Sequence, residues 1–203
     1  MTAVHAATSR VSRETRDRLE VYVAELRRWQ PTLNLVSPAS LPHLWDRHIA
    51  DCLQLADLAP SCDDWVDLGS GAGLPGLIIA ASDRAPRVTL VESDGRKCAF
   101  LRQTAQRMGL LVCVLEGRIE SVCQGVVEAS VVTARGLAPL KRLLAYAQPL
   151  LGRGTICLFP KGKTYDVELT EARECWTFSV DIIPSRTDSE GRILRISELV
   201  AKS

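Results

Sequence analysis

No Cys-x-x-Cys pair occurs among the 203 residues of this chain, and its only histidines, His5, His43 and His48, fall at no His-x-x-x-His spacing. Recognisable zinc-ligand spacing is therefore missing, and no metal is expected. The seven cysteines are odd in number and scattered between Cys52 and Cys175, which fits reduced core thiols better than a disulfide framework. Long apolar runs are also lacking. Residues 74–81 form one of the longest, far short of the roughly 20 residues of a membrane-spanning helix, and Pro75 and Gly76 interrupt it. Residues 1–10 show no sustained apolar run behind a basic start, so no export signal is read there and a cytoplasmic location is expected. Net charge nearly vanishes, with 25 Lys and Arg against 24 Asp and Glu, so the chain as a whole gives no sign of a polyanionic partner, and any basic patch must be local.

What remains is a globular composition, 46% hydrophobic, sized for one α/β unit and a modest extension. Between residues 10 and 30, Leu19, Tyr22, Val23, Leu26 and Trp29 recur at three- and four-residue steps with charged residues between them, predicting an amphipathic helix that stops at Pro31. A second periodic stretch carries Leu41, Leu44, Trp45, Ile49, Cys52, Leu53 and Ala56, so two helices precede the first strand. From Trp65 short apolar runs alternate with helical segments. Strands are expected at 65–68, 88–91, 111–115, 130–134 and 155–159, with helices from about 74, at 95–108, at 139–150 and at 166–174. The tail reads as strands 176–183 and 193–199 joined by the polar run 184–191, too short for a parallel crossover, so the last pair must be antiparallel. The expected architecture is one domain spanning 1–203, monomeric by default, with a helical extension over 1–60. A class I methyltransferase-like, Rossmann-like α/β core over 61–203 would follow, its sheet mostly parallel with a terminal antiparallel strand.

The segment Asp67-Leu68-Gly69-Ser70-Gly71-Ala72-Gly73-Leu74-Pro75-Gly76 falls where the first strand passes into its helix, the place where open α/β sheets bind ligands. Glycines let the backbone approach a ligand closely, and the N–H groups beyond suit a polar or anionic group. Glu92 ends the second strand with a carboxylate suited to a ribose diol. Gly71-x-Gly73-x-x-Gly76 also satisfies a dinucleotide fingerprint. Asp67 two residues before Gly69, the terminal hairpin, and too little chain for a separate dehydrogenase substrate domain favour S-adenosylmethionine over NAD.

These residues, with Asn34-Leu35, Trp45-x-Arg47-His48-x-x-Asp51, Glu92-Ser93-x-x-Arg96-Lys97-x-x-Phe100-Leu101, Gly117-Arg118-Ile119-Glu120, Ala134-Arg135-Gly136 and Lys161-Gly162, give the chain its resemblance. It resembles the RsmG family, also called GidB, bacterial enzymes that methylate N7 of a guanine in the decoding region of 16S ribosomal RNA, at position 527. The resemblance runs over nearly the whole chain. It implies that S-adenosylmethionine meets Gly69, Leu74, Ile119, Glu120 and Arg135, with Gly71 and Gly73 in the loop and Glu92 near the ribose. It also implies that the partner is 16S rRNA, in the small ribosomal subunit or an assembly intermediate. Pro160 before Lys161, and Val36 where a threonine is frequent, depart from the family pattern.

Guanine N7 carries a free lone pair, so methylation there needs no base to remove a proton, and no catalytic residue is assigned. Thr133-Ala134-Arg135-Gly136 stands where methyltransferases of exocyclic adenine amines carry an Asn-Pro-Pro-Tyr-like tetrapeptide, and no Pro-Cys pair offers a thiolate for cytosine. Arg47, His48, Arg96, Lys97, Lys161 and Arg192 are candidate RNA contacts, and Arg102 and Arg107 extend that basic set or form a solvated helix face. Trp45 is read as core or as a base-stacking platform. Two other functions stay open: a small-molecule methyltransferase with an enclosed apolar pocket, and a noncatalytic RNA-binding or ribosome-assembly factor that keeps only the fold.

Overall fold

The computed structural model describes residues 11–60, 64–82, 87–125 and 128–202. Residues 1–10, on which the export-signal reading rests, the expected helix start at Arg10, and Cys62 lie outside them. Helix α1 (Arg13–Leu33) begins at Ser12, whose Oγ accepts the Thr15 N–H at 3.1 Å, and it buries Leu19, Tyr22, Val23, Leu26 and Leu33. The expected stop at Pro31 is corrected, because the helix runs through it. So near the C-terminal end, the missing N–H removes one i→i−4 bond and leaves the last turn to close at Asn34, which takes the left-handed conformation (φ 46°) and donates to the Gln30 carbonyl at 3.0 Å. Buried Gln30 then steers the departing chain, its Nε2 donating to the Val36 carbonyl at 2.7 Å and its Oε1 accepting the Val36 N–H at 3.0 Å.

The single second helix is also corrected. The stretch divides into a 3₁₀ segment (Pro38–His43), a π-helical turn (Trp45–Ile49) and α2 (Ala50–Leu58). A π turn turns successive side chains by less than an α turn does, and here it carries Trp45, Arg47 and His48.

The core alternates β1 (Asp64–Leu68), α3 (Gly76–Ala81), β2 (Arg87–Glu92), α4 (Gly95–Arg107), β3 (Val112–Glu116), the short α5 (Ile119–Val122), β4 (Ala129–Ala134), α6 (Leu140–Ala147), β5 (Leu151–Lys161) and α7 (Tyr165–Arg173). It closes with β6 (Trp176–Pro184) and β7 (Arg192–Ala201). The strand order is β3-β2-β1-β4-β5-β7-β6. Neighbours are parallel from β3 through β5, and β7 pairs antiparallel with both β5 and β6. The reversed strand is thus the last in sequence, and it slots between β5 and the edge strand β6.

Alternate strand residues feed two buried layers, as the period of two requires. Trp65, Val88, Leu90, Val131, Ile156 and Leu158 pack with apolar residues of α1, α2, α3 and α4. Val66, Leu68, Val91, Val132, Cys157 and Phe159 pack on the other face with α6 and α7. The N-terminal helices therefore share a core with one face of the sheet, and Tyr22 on α1 donates its hydroxyl to the Ala72 carbonyl in the glycine loop at 2.8 Å. Six described cysteines are free thiols, four of them buried. Pro160 sits in β5 beyond the last pair with β4, Thr133 with Leu158, so its missing N–H costs no bond on that side. No helix among the described residues is long and apolar enough to cross a membrane.

Candidate active site

The glycine loop leaves β1 at the carboxyl edge of the sheet. Gly73 adopts φ +79°, and a Cβ there would meet Leu77 Cδ1 at 2.5 Å, so both conformation and space demand glycine. Beneath the loop lies fully buried Asp67, whose Oδ2 accepts the Gly76 N–H at 3.2 Å and whose Oδ1 accepts the Thr133 hydroxyl at 2.9 Å. Thr133 Oγ1 in turn accepts the Trp65 indole N–H at 3.0 Å. Burial raises the Asp67 carboxyl to about 6 against these bonds, which pull it down. Asp67 thus anchors the start of α3 to β1 and β4 from below the loop.

Glu92 faces the loop from β2. Its Oε2 accepts the Gly71 N–H at 2.9 Å, and its Oε1 accepts the Ser93 and Asp94 N–H groups at 2.7 and 2.9 Å. The carboxylate is thereby fixed in one orientation, and the second lone pair of Oε2 is left over.

A cavity of about 800 Å³ opens above these groups. Gly69, Gly71, Leu74, Glu92, Ile119, Glu120 and Arg135 of the expected cofactor set line it, as do His48 and Lys97 of the expected RNA set. Gly73 does not reach the wall and acts through the shape of the loop. Glu120 lies on the rim, 3.7 Å from Arg142, and a hydrogen bond from its own backbone N–H, with help from the Tyr146 hydroxyl, holds its carboxyl below the usual range. The N-terminal segment supplies Leu35, Val36, Ser37 and Ser40, and α6 supplies Tyr146. Sequence reading named Leu35 and Val36 without giving them a role in the site and missed Ser37, Ser40 and Tyr146; the Asn34-Leu35 motif signals the first segment, and nothing local marks Tyr146.

A second cavity of about 360 Å³ adjoins the first, sharing Ser37, Ser40, His48 and Arg135 with it. Arg47, Lys161 and Arg192 line this one, together with the 185–191 connection of the terminal hairpin. Arg96 lies outside both, exposed and 3.6 Å from Asp94. Lys161 is nearly buried, its Nζ donating to Glu168 at 2.6 Å and to the Ala138 carbonyl at 2.8 Å. Arg102 pairs with Glu116 and Arg107 with buried Glu25. Trp45 packs half-buried against the core layer of the N-terminal helices.

Arg135 forms the partition. Its Nε donates to Asp51 Oδ2 at 3.0 Å, and its Nη2 to the Arg47 carbonyl at 3.1 Å and to His48 Nδ1 at 2.9 Å. Because a guanidinium only donates, His48 Nδ1 must present its lone pair and Nε2 must carry the proton. Burial, then the adjacent Arg135 charge, lowers the His48 imidazole to about 4, so it is neutral near pH 7. The spacing Arg47-His48-x-x-Asp51 is thus explained: its members converge on one arginine at the end of β4. Asp51 belongs to the site, although sequence reading placed it in the motif without a role and gave one only to Arg47 and His48.

A mostly parallel sheet whose last strand is reversed, with a glycine loop at the carboxyl edge and a carboxylate ending β2, defines the class I methyltransferase fold. A mutant form of MtNAS shares it, with a TM-score of 0.61 at 18% identity over 88% of this chain and 70% of that one. Aeropyrum pernix fibrillarin, solved with natively bound S-adenosyl-L-methionine, does so with a TM-score of 0.54 at 14% identity over 69% of this chain and 68% of that one. Within that class, the family model GidB, rRNA small subunit methyltransferase G, matches residues 15–191, and the chain belongs to this family. The ribosomal RNA small subunit methyltransferase G of Methylobacterium radiotolerans is 54% identical, over 97% of this chain and 94% of that one. Its namesake from Parvibaculum lavamentivorans is 50% identical, over 96% and 88%.

Proposed function

We propose that this protein transfers the methyl group of S-adenosylmethionine to N7 of a guanine in 16S rRNA of the small ribosomal subunit, at the position numbered 527. The observation that carries this reading is the pair of adjoining cavities, divided by Arg135 and His48. The larger fits the cofactor: a cradle of left-handed glycines excludes side chains on one side, and an immobilised carboxylate with a spare lone pair faces it. Gly69, Gly71 and Leu74 would hold it, with Glu92 at the ribose, and Ile119 and Glu120 would line its far side. Arg135 Nη1, unused in the bonds to Asp51, Arg47 and His48, is left to meet the cofactor's carboxylate.

When bound, S-adenosylmethionine supplies an electrophilic methyl on a sulfonium. The chain's own residues position the acceptor and exclude water; they remove no proton, because N7 attacks with its lone pair. A neutral His48 and an Arg135 charge offset by Asp51 suit a reaction that leaves positive charge on the purine. Arg47 and Arg192 at the second cavity and Lys97 at the first stand where a nucleotide's phosphates can meet them.

Calorimetry with S-adenosylmethionine, followed by transfer of labelled methyl to small subunits, large subunits and a metabolite extract, tests the reading. Saturable binding with label confined to small-subunit RNA is expected. Label on small metabolites alone would support the enclosed-substrate alternative instead, and a folded protein that binds no cofactor would leave only the noncatalytic one.

A further inference from the structure

We propose that Asp188, in the hairpin connection between β6 and β7, is the specificity-determining residue that reads the Watson–Crick edge of the target guanine. This deepens the guanine-N7 reading and rests on it.

The second cavity is the place for an extruded base, since an enzyme that acts on a base inside folded RNA must take it out of the stack. Its volume of about 360 Å³ lies at the small end of small-molecule sites. Pro160 and Ile193 give it apolar walls. With N7 directed through the opening to the cofactor cavity, the opposite end of the purine faces the walls away from Arg135 and His48. That end carries N1–H and the N2 amino group, both donors, so the cavity must offer an acceptor there.

Two carboxylates line the cavity among the described residues. Asp51 is committed: Oδ1 accepts from Gln54 and Thr187, both at 2.8 Å, and Oδ2 from Arg135. The Ser185 and Thr187 hydroxyls bond each other at 3.1 Å. Asp188 is solvent-exposed at the cavity's edge and uses only Oδ1, which accepts the Glu190 N–H at 3.0 Å, while Oδ2 has no partner among the described residues and is open to a ligand. A carboxylate is the wrong group for an RNA phosphate, and Arg47 and Arg192 line the same cavity to serve phosphates. Asp188 is the one carboxylate lining the cavity, among the described residues, with an oxygen free to accept from a ligand that donates.

The backbone that carries Asp188 is held in place. Gln54 Oε1 accepts the Arg186 N–H at 2.9 Å, the Gly191 N–H returns to the Asp188 carbonyl at 3.1 Å, and a Cβ on Gly191 would come within 3.1 Å of Asp188 Cβ. The connection that bears Asp188 is thus braced against α2 and packed on itself, as a reading group requires.

The test measures methylation by wild type and Asp188→Asn on reconstituted small subunits carrying guanine or inosine at the target. Inosine keeps N7, O6 and N1–H and lacks the N2 amino group. Asparagine keeps the Glu190 N–H acceptor, so the turn survives, but it loses the charge. Wild type is expected to lose roughly tenfold or more in kcat/KM on inosine, and Asp188→Asn ten- to hundredfold on guanine, the range for a hydrogen bond to a charged group. The variant should then treat the two bases within about threefold, because the losses share one contact. Wild type that does not discriminate between the bases, or a variant that matches wild type on guanine or keeps its discrimination, would overturn the role of Asp188 alone. Wild type that leaves N7 of guanine unmodified would overturn the underlying reading and this inference with it.

Discussion

Removal of Asp51 should reveal how the partition between the two cavities is held. The Asp51 and Arg135 side chains are 14% and 23% exposed, and their contact is 3.0 Å. Asp51→Ala leaves a largely buried guanidinium without its counter-charge, which typically costs about 3–5 kcal/mol. Arg135 keeps the Arg47 carbonyl and His48 Nδ1 as acceptors, so the low end applies to the charge. Two further bonds, from Gln54 and Thr187, vanish with Oδ1 and add about 1 kcal/mol at most after partial relaxation. The total, about 4 kcal/mol, corresponds to roughly 8–16 °C in melting temperature for a chain of this size. Urea unfolding of Asp51→Ala, Arg135→Met and the double variant measures it. The double variant should recover much of the loss, because it leaves no unpaired charge. Destabilisation equal to the sum of the single variants would refute the idea that Asp51 serves to neutralise Arg135.

Other residues give independent checks. Gly73→Ala should cost about 2 kcal/mol or more from the left-handed backbone and the Leu77 overlap and weaken cofactor binding at least tenfold; unchanged calorimetry would contradict the cradle. The His48 imidazole should titrate by NMR near 4. Because its folded value is depressed below 6.5, the stability linked to its neutral form is present above pH 6.5 and is lost as pH falls through about 4; a midpoint at or above 6.5 would contradict the Arg135 contact. Lys161→Ala should lower stability by about 3 kcal/mol by stranding the Glu168 carboxylate, a loss visible in urea; parent-like unfolding would contradict that role. Tyr22→Phe should cost about 1 kcal/mol through the unpaired Ala72 carbonyl, and no change in the urea midpoint would show that the hydroxyl does not brace the loop.

The alternating strands and helices were legible because the inner strands β1, β2 and β4 bury both faces and the longer helices α1, α4 and α6 show their period. The glycine loop and Glu92 were legible because backbone freedom and a strand-end carboxylate leave marks within a few residues. Pro31 misled because local propensity places a break where the chain tolerates a proline in a last turn held by Gln30 and Asn34. The π turn escaped because its apolar spacing over Leu44, Trp45, Ile49 and Cys52 resembles that of an α-helix. Asp51 matters through Arg135, 84 residues away just beyond β4, and Asp188 through a cavity wall assembled from distant segments, and such juxtapositions are written in the topology of the sheet. Lys161 illustrates the converse: a basic residue in a motif does not disclose that Glu168 holds its charge.

The central claim is that the two cavities bring a guanine N7 to the methyl donor. It is tested most directly by incubating the protein with unmethylated small ribosomal subunits and labelled S-adenosylmethionine, then mapping the label by nuclease digestion and mass spectrometry. One 7-methylguanosine in 16S rRNA, made by wild type and lost on Glu92→Ala, is the expected result. Label at any other atom or base, or in a molecule other than that RNA, would contradict the account.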